Sequence, residues 1–268
     1  MKPSTLILDL LRTYSDRGAD VKTIMETGEL FSYSKNLMRV SLSRLLAKNV
    51  VEKIQRGQYR LCASTNPINT FTERWRLGEE RTKPWLNSEW ICVHTPEALS
   101  KRGDWVLNIN GFRLVSKKLW IRPDNLAFED STPEEFLREM GLDQNTIFMN
   151  AAKLASTTAD LWFAFFDTES LDKDYMYMQN KLEASLQNLS LLPIDTAKRE
   201  SFHLGGEAIT LLANDPLIPK QVHATTKQMK LWRTLKSYDQ LGRKIWSHAD
   251  SSLPQTTPTQ SIQQSQVI

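Results

Sequence analysis

The sequence predicts an α+β protein of three successive structural units. Residues 34–61 have the pattern of an amphipathic helix that leads directly into a short two-stranded hairpin. Residues 89–155 contain short periodic segments in the order strand, helix, strand, strand, helix, strand. From about residue 156 the apolar residues recur at helical spacing, which predicts a unit made of helices alone.

The first unit begins with two helical segments, LILDLLRTY and VKTIMETGELF, and continues with a third helix near residue 40. Rotating each residue of the third helix through about 100° places Met38, Leu42, Leu45 and Asn49 in one stripe, which is predicted to pack inward. The opposite side is short, polar and basic. It carries Asn36, Val40, Ser43 and Ala47, and it is flanked by Arg39 and Arg44.

A hairpin is predicted immediately after this helix. Residues 51–54 form a β-branched run, Gly57 lies at a turn, and residues 58–61 form a second run. Arg56 at the tip and Arg60 beside it place positive charge at the end of the hairpin. Helix plus hairpin is the layout of a winged helix-turn-helix, in which a recognition helix enters the DNA major groove and the wing contacts the phosphate backbone.

The residue types on the exposed side of the helix suit contact with bases. Asparagine can pair with adenine, arginine can pair with guanine, and a small apolar side chain can touch the methyl group of thymine. Ser32 or Ser34 is the expected N-cap, and a helix N-terminus also favours a phosphate. The predicted DNA-binding residues are Ser34, Lys35, Asn36, Arg39, Val40, Ser43, Arg44, Lys53, Arg56, Gln58 and Arg60.

Positive charge is concentrated in this first unit. Residues 1–60 contain 11 Lys or Arg and 6 Asp or Glu, whereas the whole chain has a formal net charge of +3. The remainder of the chain is therefore slightly acidic. A basic module on a nearly neutral body is the electrostatic footprint expected of a DNA-binding domain.

Length and composition set the other limits. A chain of 268 residues with 40% hydrophobic content can bury several cores, and no apolar stretch approaches the roughly 18 residues of a membrane span. The first residues lack the apolar core of a secretory signal. Cys62 and Cys92 are isolated thiols without a metal-binding spacing. We therefore expect a soluble cytoplasmic protein without membrane contact, metal or cofactor.

The middle unit has the element order of a ferredoxin-like sandwich, in which helices cover one face of an antiparallel sheet. Strands are predicted at 90–94, 112–115, 119–122 and 146–151, and helices at 96–110 and 133–140. In the helical unit, Leu231, Leu235 and Tyr238 recur at helical spacing and are expected to be buried. The sequence is predicted to divide into a winged helix-turn-helix domain at 1–64, a connector at 65–88 and a ferredoxin-like domain at 89–155. A helical domain at 156–250 follows, which is expected to bind an effector and to dimerise. Residues 251–268 are predicted to be a disordered tail.

Enzymatic functions find little support in the residue patterns. The four histidines are scattered, and the chain has no metal-ligand spacing, phosphate-binding glycine loop or nucleophile elbow. The alternative enzyme is a metal-dependent nuclease with a ferredoxin-like fold, which needs a carboxylate at the end of its first strand. This chain has His94 and Thr95 there. We therefore expect a protein that is not an enzyme. A second alternative to DNA binding is a winged helix that binds another protein.

Over residues 20–248 the chain resembles the PaaX family of bacterial transcriptional repressors. Three segments carry the resemblance: RVSLSRLLAKNVVEKIQRGQYRL, LWIRPDNLA at 119–127 and ANDPLIP at 213–219. The resemblance implies a homodimeric repressor of a phenylacetate-type catabolic operon in the bacterial cytoplasm. Such a repressor binds a near-palindromic operator in double-stranded DNA and is released by an acyl-CoA effector such as phenylacetyl-CoA. The chain departs from the family where glycines are expected, at the turn that contains Ser32 and at Asn49.

An acyl-CoA effector carries several phosphates and an adenine. A pocket for it should therefore combine basic groups with an aromatic wall. The candidate effector-binding residues in the middle and C-terminal domains are Trp90, Trp105, Trp120, Arg122, Arg199 and His203.

Overall fold

A computed structural model of the 268-residue chain describes residues 1–14, 17–62, 74–86, 89–128 and 131–247. The fold is a mixed α+β arrangement with two small antiparallel sheets, as the sequence predicts. Residues 65–73 and 87–88 of the predicted connector and the predicted tail at 251–268 lie outside the described residues. None of the described helices combines the length and the apolarity needed to cross a membrane.

The N-terminal part contains three helices and a three-stranded sheet. Its apolar core joins residues of all three helices, including Leu6, Ile24 and Met38. Strand β3 lies between β1 and β2, and both pairs are antiparallel. The elements are α1 (Pro3–Tyr14), β1 (Ala19–Asp20), α2 (Val21–Leu30), α3 (Lys35–Ala47), β2 (Val51–Gln55) and β3 (Gln58–Leu61).

The middle part contains a four-stranded antiparallel sheet with the spatial order β5, β6, β4, β7. Two helices pack on one face of this sheet, because their apolar residues share a core cluster with Ile91 and Val93. The elements are β4 (Trp90–His94), α4 (Lys101–Ile109), β5 (Arg113–Ser116), β6 (Leu119–Pro123), α5 (Pro133–Glu139) and β7 (Ile147–Ala151).

The predicted element order of the middle part is confirmed, with one helix shorter than expected. Helix α4 begins at Lys101, five residues after the predicted start at Pro96. The Ser100 hydroxyl caps it by accepting a hydrogen bond from the backbone N–H of Gly103 at 3.0 Å. Because the Asp143 carboxylate in turn accepts the backbone N–H of Ser100, the chain before Lys101 is held outside the helix.

The C-terminal part is helical and builds a core of its own. Leu231, Leu235 and Tyr238 are buried in this core, as predicted from their spacing. Trp75, from the 3-10 segment Arg74–Arg81, is buried in the same cluster. The helices are α6 (Ser156–Ala164), α7 (Thr168–Asn188), α8 (Ile194–Ala213) and α9 (Thr226–Ser247), with a short 3-10 turn at Leu189–Leu191.

Two of the sequence segments that carry the family resemblance meet inside the fold. The Asn125 amide accepts a hydrogen bond from the Arg122 guanidinium at 2.9 Å and donates one to the Leu217 carbonyl at 2.6 Å. Leu217 is buried with a left-handed backbone (φ 52°), and the Asp215 carboxylate holds it by accepting its N–H at 2.7 Å. These motif residues therefore join the middle sheet to the C-terminal helices.

Candidate nucleic-acid interface

Helix α3 starts at a side-chain cap that follows a tight turn. The Ser34 hydroxyl accepts a hydrogen bond from the Leu37 N–H at 3.3 Å, so the prediction of Ser34 as a possible N-cap is confirmed. Ser32 has a left-handed backbone (φ 63°), which glycine adopts more readily. The turn between α2 and α3 therefore keeps the geometry of a glycine turn at the cost of some backbone strain.

The two sides of α3 differ in exposure as the sequence predicts, except at one end. Met38, Leu42 and Leu45 are buried. Asn49, predicted to lie in the same inward stripe, is instead exposed, because α3 ends at Ala47 and Asn49 adopts a left-handed conformation (φ 53°). The opposite side is open to solvent and carries Asn36, Arg39, Val40, Ser43 and Arg44.

Four of the predicted cations on this surface have no acidic partner within the described part of the chain. Among the described residues, no hydrogen bond or ion pair involves the side chains of Arg39, Arg44, Lys53 or Arg56, and all four are exposed. Lys48, which the predicted set does not include, shares both properties. Lys48 directly follows the last turn of α3, and this position could have identified it from the sequence. Such cations are available to an external anion.

The hairpin tip is fixed to the rest of the N-terminal part. Gly57 has φ 80°, which lets strands β2 and β3 connect through two residues. The Gly57 carbonyl accepts the N–H of Val21 at 2.7 Å, so the tip is held at the start of α2. Arg56 beside it remains exposed.

Besides the capping residue Ser34, three predicted DNA-binding residues already have partners within the protein. Lys35 pairs with Glu29 at 3.1 Å, and Arg60 pairs with Glu52 at 2.6 Å across the hairpin. The Gln58 amide donates to the carbonyl of Arg17 at 2.7 Å and is half-buried. A contact of these side chains with phosphate would compete with these internal interactions.

The structure does not gather the six candidate effector residues around one cavity. Trp90 and Trp120 are buried on opposite faces of the middle sheet. Arg122 is completely buried, and its donors go to the carbonyls of Asn110 and Pro123 and to the Asn125 amide. Trp105 is half-buried beneath Arg102, whose guanidinium carbon lies 4.3 Å from the ring centroid. The spacing of these residues in the sequence could not predict where they lie. Their positions depend on which face of the middle sheet is covered by which helices.

Arg199 and His203 lie at a contact between the N-terminal part and helix α8. The Arg199 guanidinium donates to the carbonyl of Leu30 at 3.1 Å. The Phe31 ring lies 5.4 Å from that of Phe202 and 6.3 Å from that of His203. Leu30 and Phe31 immediately precede the turn that leads into α3. Residues 199–203 of α8 therefore contact the chain between α2 and α3.

Comparisons with known proteins add information on the fold. No protein-family model matches the sequence, and no curated protein matches it. A solved structure of the uncharacterized protein Rv0674 from Mycobacterium tuberculosis is similar, with a TM-score of 0.58 and 14% sequence identity. The similarity covers 91% of this chain and 99% of that chain. The chain therefore shares an overall fold with that protein over nearly its whole length.

Proposed function

We propose that this protein is a transcriptional repressor that binds double-stranded DNA through a winged helix-turn-helix domain at its N-terminus, and that it acts by binding and not by catalysis. The observation that carries the proposal is the exposed side of α3, where Asn36, Arg39, Ser43 and Arg44 lie together and their side chains have no partner among the described residues. Each of these residue types can hydrogen-bond to base edges in the major groove. The element order of residues 1–62 and the central position of β3 support the same domain type.

Phosphate contacts would surround this base-contacting side. Lys53 and Arg56 on the hairpin extend the surface from α3 to the wing, and Lys48 extends it from the end of the helix. These contacts position a protein on DNA without selecting its sequence, whereas contacts to base edges select the sequence. Arg39 and Arg44 are accordingly proposed to select bases, and Lys53 and Arg56 to hold phosphate.

The family resemblance supports a finer proposal. The middle domain is ferredoxin-like, on the basis of its element order and of the strand order β5, β6, β4, β7. The protein is a homodimer in the bacterial cytoplasm, which would place two α3 helices about 34 Å apart on a near-palindromic operator. The operon encodes aromatic-acid catabolism of the phenylacetate type, and an acyl-CoA such as phenylacetyl-CoA releases the operator.

Binding to DNA upstream of the protein's own gene and of the neighbouring genes tests this proposal. We expect Arg39→Ala and Arg44→Ala to cost about 1–3 kcal/mol of binding free energy and to relax base preference. Arg56→Ala should weaken binding to all sequences alike. Lys117→Ala provides the matched control, since Lys117 is exposed in the turn between β5 and β6.

The salt dependence of binding separates DNA from a protein partner. The logarithm of DNA affinity should fall linearly with the logarithm of salt concentration, with a slope set by the number of phosphates neutralised. A shallow slope, or unchanged affinity in both α3 variants, would contradict the proposal. Release by phenylacetyl-CoA is measured in the same assay, and persistence of the complex at saturating phenylacetyl-CoA would exclude this effector.

A further inference from the structure

Strand β7 forms one edge of the middle sheet. Its inner side pairs with β4, and no described strand pairs with its outer side. Within the described part of the chain, the backbone of residues 147–151 has no hydrogen bond other than those to β4. The outward-pointing N–H and C=O groups of β7 are therefore available to a further strand.

The other sheet edges among the described strands carry features that hinder pairing with another chain. Strands β2 and β5 each have a register irregularity in their pairing, and each contains a charged residue. Strand β1 is only two residues long. Bulges, charges and short length are the usual protection of sheet edges. Strand β7 has none of them, because its five residues are uncharged, lack proline and pair with β4 in a regular register.

Two apolar side chains of β7 are exposed beside this edge, Ile147 to 50% and Met149 to 44%. Alternate residues of a strand point to the same face of a sheet, and so do directly paired residues of neighbouring strands. Met149 pairs with Cys92, which shares an apolar cluster with Trp162 and Phe163 of α6. Both exposed side chains therefore lie on the sheet face that α6 packs against, and apolar surface borders the unpaired backbone groups.

The chemistry of β7 fits a second copy of the same strand. Residues 144–152 contain no charged residue, so two copies can meet without repulsion between like charges. In antiparallel pairing centred on Met149, the two Met149 side chains lie side by side, and Ile147 lies beside the partner's Ala151. A two-fold axis perpendicular to the sheet produces this pairing and keeps equivalent faces of the two sheets on the same side. The exposed apolar side chains of the two copies then cover each other.

We propose that β7 pairs antiparallel with β7 of a second copy of this chain and joins the two middle sheets into one continuous sheet. Hydrogen bonds between the two backbones hold the strands together, and the exposed apolar side chains fix the register. This inference rests on the dimeric state in the proposed function and deepens it by naming the surface that joins the copies. The pairing does not use the exposed side of α3, which stays open to DNA.

Sedimentation of the full-length protein without DNA tests the edge. Met149→Lys should raise the dimer dissociation constant about tenfold or more, because it places two ammonium groups side by side between the copies. Leu114→Lys is the matched control, since Leu114 is also 44% exposed but lies on β5 at the opposite edge of the sheet. Circular dichroism checks that both variants are folded. A monomeric wild-type protein, or equal effects of the two substitutions, would overturn the inference.

Disulfide cross-linking tests the register. Directly opposite residues of an antiparallel pair have Cα atoms about 4.5–5.5 Å apart, within the span of a disulfide. Met149→Cys should therefore give a covalent dimer on mild oxidation. Ile147→Cys should not, because its Cα lies about 13 Å along the strand from the equivalent atom of the second copy. The wild-type chain controls for cross-links through Cys62 and Cys92. Equal cross-linking of Met149→Cys and Ile147→Cys would overturn the inference.

DNA binding separates this inference from the proposed function. Arg44→Ala should lose DNA affinity and remain a dimer. Met149→Lys should bind a single half-site as the wild-type protein does, but should bind the two-half-site operator about tenfold or more weakly. A dimer that loses its association in Met149→Lys but binds no DNA would contradict the proposed function and support the seam at β7. Operator binding by a wild-type monomer would overturn the inference and leave DNA binding intact.

Discussion

Arginine has opposite environments in two regions of this molecule. On α3, Arg39 and Arg44 are exposed and have no internal partner among the described residues. Under the middle sheet, Arg122 is completely buried, and all three of its guanidinium nitrogens donate to protein oxygens. An arginine side chain is thus available to an external anion in one region, whereas in the other region its guanidinium nitrogens are all hydrogen-bonded within the protein. Residue type alone does not distinguish a binding residue from a structural one.

Among the described residues, no carboxylate hydrogen-bonds to Arg122. Burial, together with repulsion from Arg74, lowers its pKa to about 9. The cation is retained at neutral pH because carbonyl and amide oxygens surround it, which offsets part of the desolvation. This arrangement links β6 to Asn110 and, through Asn125, to the 213–219 segment.

The largest expected effect is on stability, from Arg122→Met. This change keeps most of the side-chain volume but leaves three buried acceptors without their donor, at about 1–3 kcal/mol each. Because removing the buried charge returns some desolvation energy, we expect a net loss of about 3 kcal/mol in the free energy of unfolding. Urea denaturation measures it. Arg44→Met is the matched control and should change stability by less than about 0.5 kcal/mol. Equal effects would show that the two environments do not differ energetically.

Arg199 represents an intermediate environment, exposed but bonded across the contact with the N-terminal part. Arg199→Ala should lower the free energy of unfolding by about 0.5–1 kcal/mol, because the hydrogen bond to the Leu30 carbonyl is lost near solvent. Arg233 on α9 is exposed and serves as the control. Denaturation curves of Arg199→Ala and Arg233→Ala that coincide would show that the contact contributes nothing measurable.

The smallest expected effect concerns Arg60, which has an acidic neighbour within the hairpin. Glu52→Gln removes the carboxylate that lies 2.6 Å from Arg60 and so makes the proposed DNA-binding surface more positive. We expect DNA affinity to rise by less than about 1 kcal/mol at moderate salt, because exposed ion pairs are weak. Glu139→Gln changes the net charge equally at an exposed site on α5, away from the hairpin. An equal gain in both variants would indicate a general charge effect only.

Much of the N-terminal surface could be predicted because its determinants are local. Helical periodicity separated Met38 and Leu42 from Asn36 and Val40, and the glycine at 57 marked the hairpin turn. The one error on α3, Asn49, arose at a helix end, where periodicity stops applying. Helix ends depend on individual caps and are difficult to place from sequence.

The effector candidates could not be predicted in the same way. Trp90 and Trp120 were selected for their residue type, but their burial depends on α6 and on the two helices of the middle part, which cover the two faces of one sheet. A cavity between the 3-10 segment Arg74–Arg81 and α9 is lined by residues more than a hundred positions apart, such as Trp75 and Trp232. No local pattern encodes that proximity.

Except for the short strand β1, the sequence by itself determined the order of helices and strands, the inward side of α3 and the basic character of the N-terminal part, because these follow from side-chain periodicity and local charge. Only the tertiary structure decided which arginines are buried, that residues 119–127 and 213–219 meet through Asn125, and that three tryptophans enclose a cavity with Arg81. Burial and hydrogen-bond partners are set by packing between distant segments, and packing is a property of the folded chain.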